Sequence, residues 1–428
     1  MLALLPILVL FILFFLNIPV AFALIGASLF YFIFINTSIP MEMAIQQFVT
    51  SIESFPYLAV PFFIMVGAVM NHSGISEAMM KFAEVLVGHT RGGLAQVNVL
   101  LSAMMGGISG SANADAAMQS KILVPEMQKK GFSAPFSAAI TAASSSVSPV
   151  IPPGTNLILY AIIANVSVGA MFLAAYTPGI LMSGALMLAV HIIAVRRKFK
   201  PSRDKQASVS EVLVQFFKSI WALLIPFGII MGMRMGMFTP TEAGGIAVLF
   251  SLFVGFFVYK KLKLKHMPVI LMDTVKSTGA VMLIIASAKV FGFYLTLERI
   301  PQLITNSLVN MTDSPFVFLM VVNVMLLFIG MFIEGGAALV ILAPLLVPAA
   351  ITFGIDPVHF GMIFIVNIMI GGLTPPFGSM MFTVCTIVGV KLEDFVREVW
   401  PFIGALILVL LLLTYSETIA LFTLNLFS

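Results

Sequence analysis

The sequence has almost no cysteine and little charge, and each shortage excludes a class of protein. Cys385 is the single cysteine in 428 residues, so an intrachain disulfide and a cysteine-based zinc cluster are excluded. Charged residues make up only 9% of the chain, and no basic patch interleaved with aromatic residues is present, which argues against nucleic-acid binding. The five histidines show no metal-ligand spacing: His72, His89, His191, His266 and His359.

Hydrophobic residues, in contrast, make up 60% of the chain, and its mean hydropathy is +1.11. Apolar runs long enough to cross a hydrocarbon core about 30 Å thick recur from one end to the other. The first run, residues 2–16, lacks the basic leader and small-residue cleavage site of a signal peptide, so we expect a retained helix. The composition predicts an all-α polytopic membrane protein.

The chain is divided by RRKFKPSRDK, residues 196–205, which carries six cations in ten residues. This segment separates a predicted first repeat, 1–195, from a second, 211–428, with a linker at 196–210. Sliding one half over the other by 221 to 223 residues aligns Pro19 with Pro240, Gly107 with Gly330, Leu123-Val124-Pro125 with Leu346-Val347-Pro348, Gly131 with Gly354, and Pro152-Pro153 with Pro375-Pro376. Such repeats are a common transporter design.

Each half holds an odd number of predicted spans, so the chain ends the first half on the other side of the membrane. The second repeat must therefore enter the membrane from the opposite side. The predicted spans are 2–16, 19–35, 57–74, 134–166 and 170–195, then 211–233, 241–259, 278–297, 358–389 and 400–427. Residues 94–124 and 315–350 are predicted to be re-entrant hairpins, and residues 41–54 and 262–276 to be amphipathic helices on the membrane surface. The fold predicted is an inverted repeat of five spans plus one hairpin each.

Lysine and arginine positions fix the orientation of this topology. With the N-terminus on the periplasmic side, all of the 22 Lys and Arg residues except Arg234, Lys289 and Arg299 face the cytoplasm, including the central loop. We therefore expect a multi-pass protein of the bacterial inner membrane with a cytoplasmic central loop.

Two double-proline segments, SPVIPPGTN at 148–156 and GGLTPPFGS at 371–379, interrupt the predicted spans 134–166 and 358–389. Proline removes a backbone donor and stops a helix, and irregular backbone survives in a membrane only inside protein or beside a wet cavity. The free carbonyl groups and nearby hydroxyl groups suit Na⁺. The predicted sodium ligands are Ser144, Ser145, Ser148, Pro149, Gly154, Thr155, Gly335, Gly371, Thr374 and Ser379.

The predicted hairpin tips, GGISGSANAD at 106–115 and GMFIEGGAA at 330–338, are rich in glycine. The helix that follows each tip begins with partial positive charge, which favours an anion. The predicted anion-binding residues are Ser109, Ser111, Asn113, Asn156, Glu334 and Gly336.

Three charged residues lie within predicted membrane segments, where charge is a functional signal by default. Each also has a plainer alternative: Asp115 as a helix cap, Glu334 as a solvated tip residue, and Lys289 as a snorkelling or neutralising cation.

FTPTEAGG at 238–245, together with GISGSANAD and the two Pro-Pro breaks, resembles the large membrane subunit of tripartite ATP-independent periplasmic (TRAP) transporters. The resemblance implies an elevator-type transporter without enzymatic activity or organic cofactor, driven by Na⁺. It also implies a separate small membrane subunit, since the sequence starts directly with its first span, and a soluble periplasmic substrate-binding protein. The implied substrate is an organic acid such as a C4-dicarboxylate or sialic acid. Thr239 is expected to cap the helix that follows it.

Three other functions remain open on the sequence alone. An autonomous sodium/dicarboxylate symporter would use the same hairpins without a binding protein. An intramembrane serine hydrolase needs a base near its nucleophile, and no histidine lies suitably within a span. A purely structural subunit leaves the paired polar breaks unexplained.

Overall fold

The structure, a computed structural model, describes residues 2–16, 18–53, 55–203 and 205–427, and no strand occurs within these ranges. The first half forms ten helices: α1 (Leu5–Phe15), α2 (Val20–Phe30), α3 (Met41–Ile52), α4 (Ala59–Ser73), α5 (Ile75–Val87), α6 (Gly93–Ser109), α7 (Ala112–Lys129), α8 (Ala134–Ser145), α9 (Thr155–Ile163) and α10 (Val168–Arg196).

The second half begins after the central loop and is also helical. Its helices are α11 (Val209–Arg234), α12 (Pro240–Phe253), α13 (Met267–Leu297), α14 (Ile300–Met311), α15 (Pro315–Phe332), α16 (Gly335–Thr352), α17 (Pro357–Gly371), α18 (Ser379–Val388), α19 (Leu392–Tyr415), α20 (Glu417–Ala420) and α21 (Phe422–Phe427). Helices α2 and α12 both continue into a π-helical turn, at Tyr31–Ile35 and Val254–Val258.

Side-chain caps explain where several of these helices begin. The hydroxyl groups of Ser133, Ser167 and Ser208 accept hydrogen bonds from backbone N–H groups in the first turns of α8, α10 and α11. Thr239 caps α12 as expected, in a reciprocal capping box with Glu242: the Glu242 N–H donates to Thr239 Oγ1 over 3.3 Å, and the Thr239 N–H donates to Glu242 Oε2 over 2.8 Å. The FTPTEAGG segment therefore starts a helix.

The double prolines coincide with two interruptions of the backbone. Helix α8 ends at Ser145 and α9 starts at Thr155, while α17 ends at Gly371 and α18 starts at Ser379. Each interruption contains a cis peptide bond, at Pro152-Pro153 and Pro375-Pro376. Two shorter breaks separate α6 from α7, at Gly110 and Ser111, and α15 from α16, at Ile333 and Glu334.

Seven helices in the described ranges are long and apolar enough to cross a membrane, or eight if α4 and α5, which meet at 73°, count as one bent span. This number is smaller than the ten predicted spans. The interrupted pairs α8/α9 and α17/α18 consist of short helices, and α1 and α2 also fall below the length of a regular span. Helices α15 and α16, predicted to form a re-entrant hairpin, are each long enough to span by this criterion.

The predicted topology is wrong in two places. Residues 262–276 and 278–297 were expected to be separate helices, but α13 runs unbroken through Met267–Leu297. The polar residues early in α13, including Asp273 and Lys276, line a cavity. The predicted span 400–427 is also wrong: α19 starts at Leu392 and ends before Ser416, whose backbone (φ −135°, ψ 88°) is not helical.

The helices pack in two groups around the interruptions. Helix α4 packs on α12, α2 on α13 and α5 on α11, which forms an outer scaffold. The inner group contains α6–α9 and α15–α18, with α7 against α8 and α18, and α16 against α9 and α17. The core lies in this inner group, because α8 is buried from Phe136 to Ser145 and α17 from Val358 to Gly371.

The outer scaffold leaves large apolar side chains uncovered. Phe15 is 86% exposed on α1, and Phe217 and Phe227 are 63% and 62% exposed on α11. Such surface is expected against lipid tails or a partner helix, and it would be unfavourable in water.

Candidate functional site

Four helices begin at one cavity of about 540 Å³ between the inner group and the scaffold. The first residues of α7, α9, α16 and α18 all line it: Ala112, Thr155, Gly335 and Ser379. The N-terminus of a helix presents unpaired N–H groups and roughly half a positive charge. The four helix starts therefore favour an anion, although the lining side chains include two carboxylates, Glu334 and Asp273, and one lysine, Lys276.

The first turn of α7, just after the break at Gly110 and Ser111, contacts α18 of the second half of the chain. Asn113, just after the first tip, donates from Nδ2 to Ser379 Oγ over 3.5 Å and accepts from Thr383 Oγ1 at 3.5 Å. In the other direction, Asn156 of α9 lies against the second tip: a Cβ built on Gly335 would stand 3.5 Å from Asn156 Nδ2. The structure thus brings Asn113 and Asn156, from α7 and α9, into one polar site.

Two glycines permit the tight backbone turns at the interruptions. A Cβ built on Gly154 would stand 2.3 Å from the Pro149 carbonyl oxygen, and one on Gly378 would stand 2.6 Å from the Gly372 carbonyl oxygen. Both distances are too short for a real contact, and the opposing atoms belong to the backbone. These glycines therefore set where α9 and α18 begin.

The predicted anion-binding residues mostly line this cavity. Ser111, Asn113, Asn156, Glu334 and Gly336 do so, whereas the side chain of Ser109 lies outside the described ones. Ser111 caps α7, and its Oγ accepts from the Ala114 N–H over 3.4 Å. Glu334 occupies the N-cap position of α16 without a side-chain capping bond and is exposed to the cavity.

Some of the predicted sodium ligands line the cavity and others do not. Four of them line the cavity: Pro149, Thr155, Gly335 and Ser379. The other six lie behind its wall: Ser144, Ser145, Ser148, Gly154, Gly371 and Thr374. Three of the hydroxyl groups donate inside the protein: Ser144 to Asn98 Oδ1 over 2.6 Å, Ser145 to the Thr141 carbonyl over 2.7 Å, and Thr374 to the Ile370 carbonyl over 2.7 Å.

The interruptions contain oxygen atoms that can act as ligands for Na⁺. Within the described backbone, the carbonyls of Pro149, Val150 and Ile151 accept no backbone hydrogen bond, and neither do those of Leu373 and Pro375. No group of three or more His, Cys, Asp or Glu side chains able to hold a metal occurs in the described part of the chain. The donor set is therefore carbonyl and hydroxyl oxygen, which fits a small hard monovalent cation.

A buried polar network behind the first interruption was not anticipated. Asp115 is wholly buried, and its Oδ2 accepts hydrogen bonds from Ser102 Oγ and Gln119 Nε2, both over 2.8 Å. Its Oδ1 has no partner among the described atoms. The interpretation of Asp115 as a helix cap is wrong, because Ser111 holds that position. Two sequence signals indicated a larger role for Asp115: its charge within a predicted membrane segment and its position five residues after Gly110.

The scaffold supplies the opposite wall of the cavity, which sequence reasoning missed. Asn71 and His72 at the end of α4, and Asp273, Lys276 and Ser277 on α13, all line it. Their sequence signal is weak, because polar residues near the end of an apolar run are expected at any membrane surface.

Comparison with known proteins identifies the family of the chain. The family model described as "Tripartite ATP-independent periplasmic transporter, DctM component" matches residues 7–419. The chain belongs to the DctM family of TRAP transporter large permeases. This large permease is 39% identical over 398 residues to the sialic acid TRAP transporter large permease protein SiaM of Vibrio cholerae, with 93% of this chain and 92% of that protein covered.

A second relative has a different substrate in its name. The C4-dicarboxylate TRAP transporter large permease protein DctM of Pseudomonas aeruginosa is 38% identical over 380 residues, which cover 89% of this permease and 88% of that one. Among solved structures, the YdaH transporter of Alcanivorax borkumensis superposes with a TM-score of 0.65 at 14% identity, covering 87% of this chain and 88% of that chain. At that identity the likeness shows the fold alone. The family resemblance predicted from FTPTEAGG and the Pro-Pro breaks is confirmed.

Proposed function

We propose that this large permease carries out sodium-coupled secondary transport of an organic acid anion into the cytoplasm, and receives its substrate from a periplasmic binding protein. The observation that carries the proposal is the convergence of four helix N-termini and both proline interruptions on one cavity. The TRAP family is tripartite, so a small membrane subunit and a binding protein are the expected partners.

The cavity suits a carboxylate. Four N-termini, with the amides of Asn113 and Asn156, offer hydrogen-bond donors, and Lys276 adds a cation on the scaffold wall. A volume of about 540 Å³ is in the usual range for small-molecule sites, about 300 to 1,000 Å³. The names of the two relatives support sialic acid and C4-dicarboxylates as the first acids to test.

The position of the interruptions supports sodium coupling. The free carbonyls of 149–151 follow α8, and Thr155, which starts α9, also donates to the Gly110 carbonyl over 3.3 Å at the first hairpin tip. A cation bound at the interruption would therefore hold both the start of α9 and the tip that precedes α7. Ordering these two N-termini would complete the anion site, which couples the two ligands.

The orientation supports an elevator in which the inner group moves against the scaffold. The cavity lies beside the start of α13, next to the lysines at 260–265, and the positive-inside rule places that end in the cytoplasm. The present conformation is then inward-facing, with the N-terminus periplasmic and the central loop cytoplasmic. The inverted relation of 1–195 to 211–428, with its hairpins and broken helices, underlies this mechanism and stays a prediction. The exposed apolar surface of α1 and α11 would receive the small subunit.

The autonomous symporter is not favoured, because transporters of this tripartite family work with a periplasmic binding protein. Reconstitution tests both ideas: liposomes containing this chain and its small subunit are given a labelled organic acid, with or without an inward sodium gradient and the binding protein. We expect uptake only when both are present. Uptake without the binding protein would favour the symporter, and uptake indifferent to sodium would refute the coupling.

Matched variants then test the site. Asn113→Ala and Asn156→Ala each remove amide donors at the cavity, so we expect uptake at limiting substrate to fall about fivefold or more, because one hydrogen bond contributes about 1 kcal/mol. Asn306→Ala on α14 is the control, since Asn306 is exposed and lies outside this cavity. Equal activity of all three variants would contradict the assignment.

A further inference from the structure

A second cavity, of about 710 Å³, lies between α3, α9, α13 and α16 and is separate from the proposed anion site. Polar groups of α3 and the end of α13 line part of it, among them Gln47, Thr50 and Thr296. Among its described lining residues Lys289 is the one cation, and no Asp or Glu is found with it. A cation without a neighbouring acid gives this cavity a positive potential.

The two cavities are neighbours separated by an apolar partition. Leu159 of α9, Ile285 of α13 and Val340 of α16 each line both of them. Along α13, Lys276 belongs to the first cavity and Lys289 to the second, roughly 20 Å apart at about 1.5 Å per residue, with Ile285 between them. The second cavity therefore lies toward the opposite end of α13, beside α3.

Lys289 is free to bind a ligand. Its side chain is exposed, and no salt bridge or hydrogen bond joins it to another described residue. A charged group within a span is unfavourable unless it faces water or a counter-ion. Lys289 lies eight residues, roughly 12 Å, before the end of the 31-residue helix α13, and it lines the second cavity.

We propose that this second cavity is the outward-side binding site for the carboxylate of the transported anion, with Lys289 as its counter-ion. The anion delivered from the periplasm pairs with Lys289 before the inner group moves and brings the four helix N-termini to it. The partition of Leu159, Ile285 and Val340 keeps the two positions separate in the present conformation. The inference rests on the proposed function, and it adds a second anion position and the residue that recognises it.

The test uses chemical restoration of the charge. In a Cys385→Ala background, Lys289→Cys is reconstituted with the small subunit, the binding protein and a sodium gradient. Loss of a charge-assisted bond predicts uptake lower by about tenfold or more. Aminoethyl methanethiosulfonate then forms a mixed disulfide with the introduced thiolate and releases methanesulfinate, which leaves an ammonium group near its original place. We expect this reagent to restore most of the uptake, and the neutral hydroxyethyl reagent to restore little.

Equal restoration by the neutral reagent would overturn the proposal, because Lys289 would then merely fill space. Unchanged uptake by Lys289→Cys before modification would also overturn it. Arg299→Gln is the matched control: it removes a cation near the same end of α13, but Arg299 does not line the second cavity, so we expect uptake near that of the unmodified protein.

Labelling kinetics identify what occupies the cavity. A membrane-impermeant trimethylammonium-ethyl reagent added outside should modify the introduced thiol of the Lys289→Cys variant, and the binding protein loaded with organic acid should slow that reaction. Slowing by the empty binding protein to the same extent would assign the surface to protein docking and overturn the anion site. If the unmodified permease takes up no organic acid, the proposed function fails; if it does and Lys289→Cys retains full uptake, this inference alone fails.

Discussion

Replacing Gly154 by alanine tests whether the backbone of the first interruption controls sodium binding. The added methyl group would stand 2.3 Å from the Pro149 carbonyl oxygen and 3.2 Å from the Pro149 carbonyl carbon. Neither atom belongs to a side chain that can rotate away, so the loop between α8 and α9 has to shift. Such overpacking typically destabilises a protein by about 1 to 3 kcal/mol.

The shift acts on the carbonyl that we assign to sodium. If the strain is relieved by moving the Pro149 carbonyl, the same loss of about 1 to 3 kcal/mol falls on sodium binding, which is about a fivefold to hundredfold rise in the half-saturating sodium concentration. Uptake into liposomes over a range of external sodium, at saturating substrate-loaded binding protein, measures this concentration. Thermal unfolding of the purified protein with and without sodium measures the same coupling independently, because a ligand stabilises the state that it binds.

Gly404→Ala is the control for the general effect of replacing a glycine. Gly404 lies inside α19, and nothing stands within 4 Å of a Cβ built there, so alanine should stabilise the helix slightly. If Gly154→Ala retains the sodium dependence and the melting temperature of Gly404→Ala, the reasoning from the tight turn to the cation site is refuted.

Three further substitutions test other parts of the structure. Asp115→Asn alters the buried carboxyl group that accepts hydrogen bonds from Ser102 and Gln119, so we expect apparent sodium affinity to fall about tenfold with the fold intact; an unchanged sodium titration would contradict a link between this network and the cation. Thr239→Ala should lower the free energy of unfolding by about 1 kcal/mol while Thr239→Ser does not, and a loss of uptake without loss of stability would assign this motif to transport. Asn113→Ala and Ser379→Ala should give less than additive losses of uptake when combined, and strict additivity would argue against the contact between the halves.

The sequence predicts the interruptions well because their cause is local. A double proline stops a helix wherever it occurs, and glycines at Gly110 and Gly154 allow turns that other residues resist. Gly110 has φ +56°, in the left-handed region, and it ends α6 as the glycine-rich tip predicts. The capping role of Thr239 was predictable for the same reason.

The composition of the cavity wall was not predictable, because it depends on which helices face each other. The polar start of α13 has the pattern of a surface helix, and only the packing of α13 beside α4 and α16 turns Asp273 and Lys276 toward a cavity. Similarly, Ser144 and Ser145 precede a break in the manner of cation ligands, yet their hydroxyl groups donate to Asn98 and Thr141. The sequence near a break does not show whether a hydroxyl group points into the cavity or into the protein behind the cavity wall.

The helix starts, and not the side chains, supply most of the positive potential at the proposed anion site, because its lining includes Glu334 and Asp273 beside Lys276. This limits what side-chain substitutions can do. Four helix N-termini supply the N–H groups at the cavity, so removal of Asn113 or Asn156 leaves that potential in place and should weaken transport without abolishing it. A substitution that moves a helix start, such as Gly154→Ala or Gly378→Ala, displaces several N–H groups together. Helix N-termini accept carboxylates of different shapes, which is consistent with relatives of similar identity being named for sialic acid and for C4-dicarboxylates. We infer that discrimination between acids depends on the side chains of the scaffold wall and on the binding protein, while the inner group provides affinity for the anion.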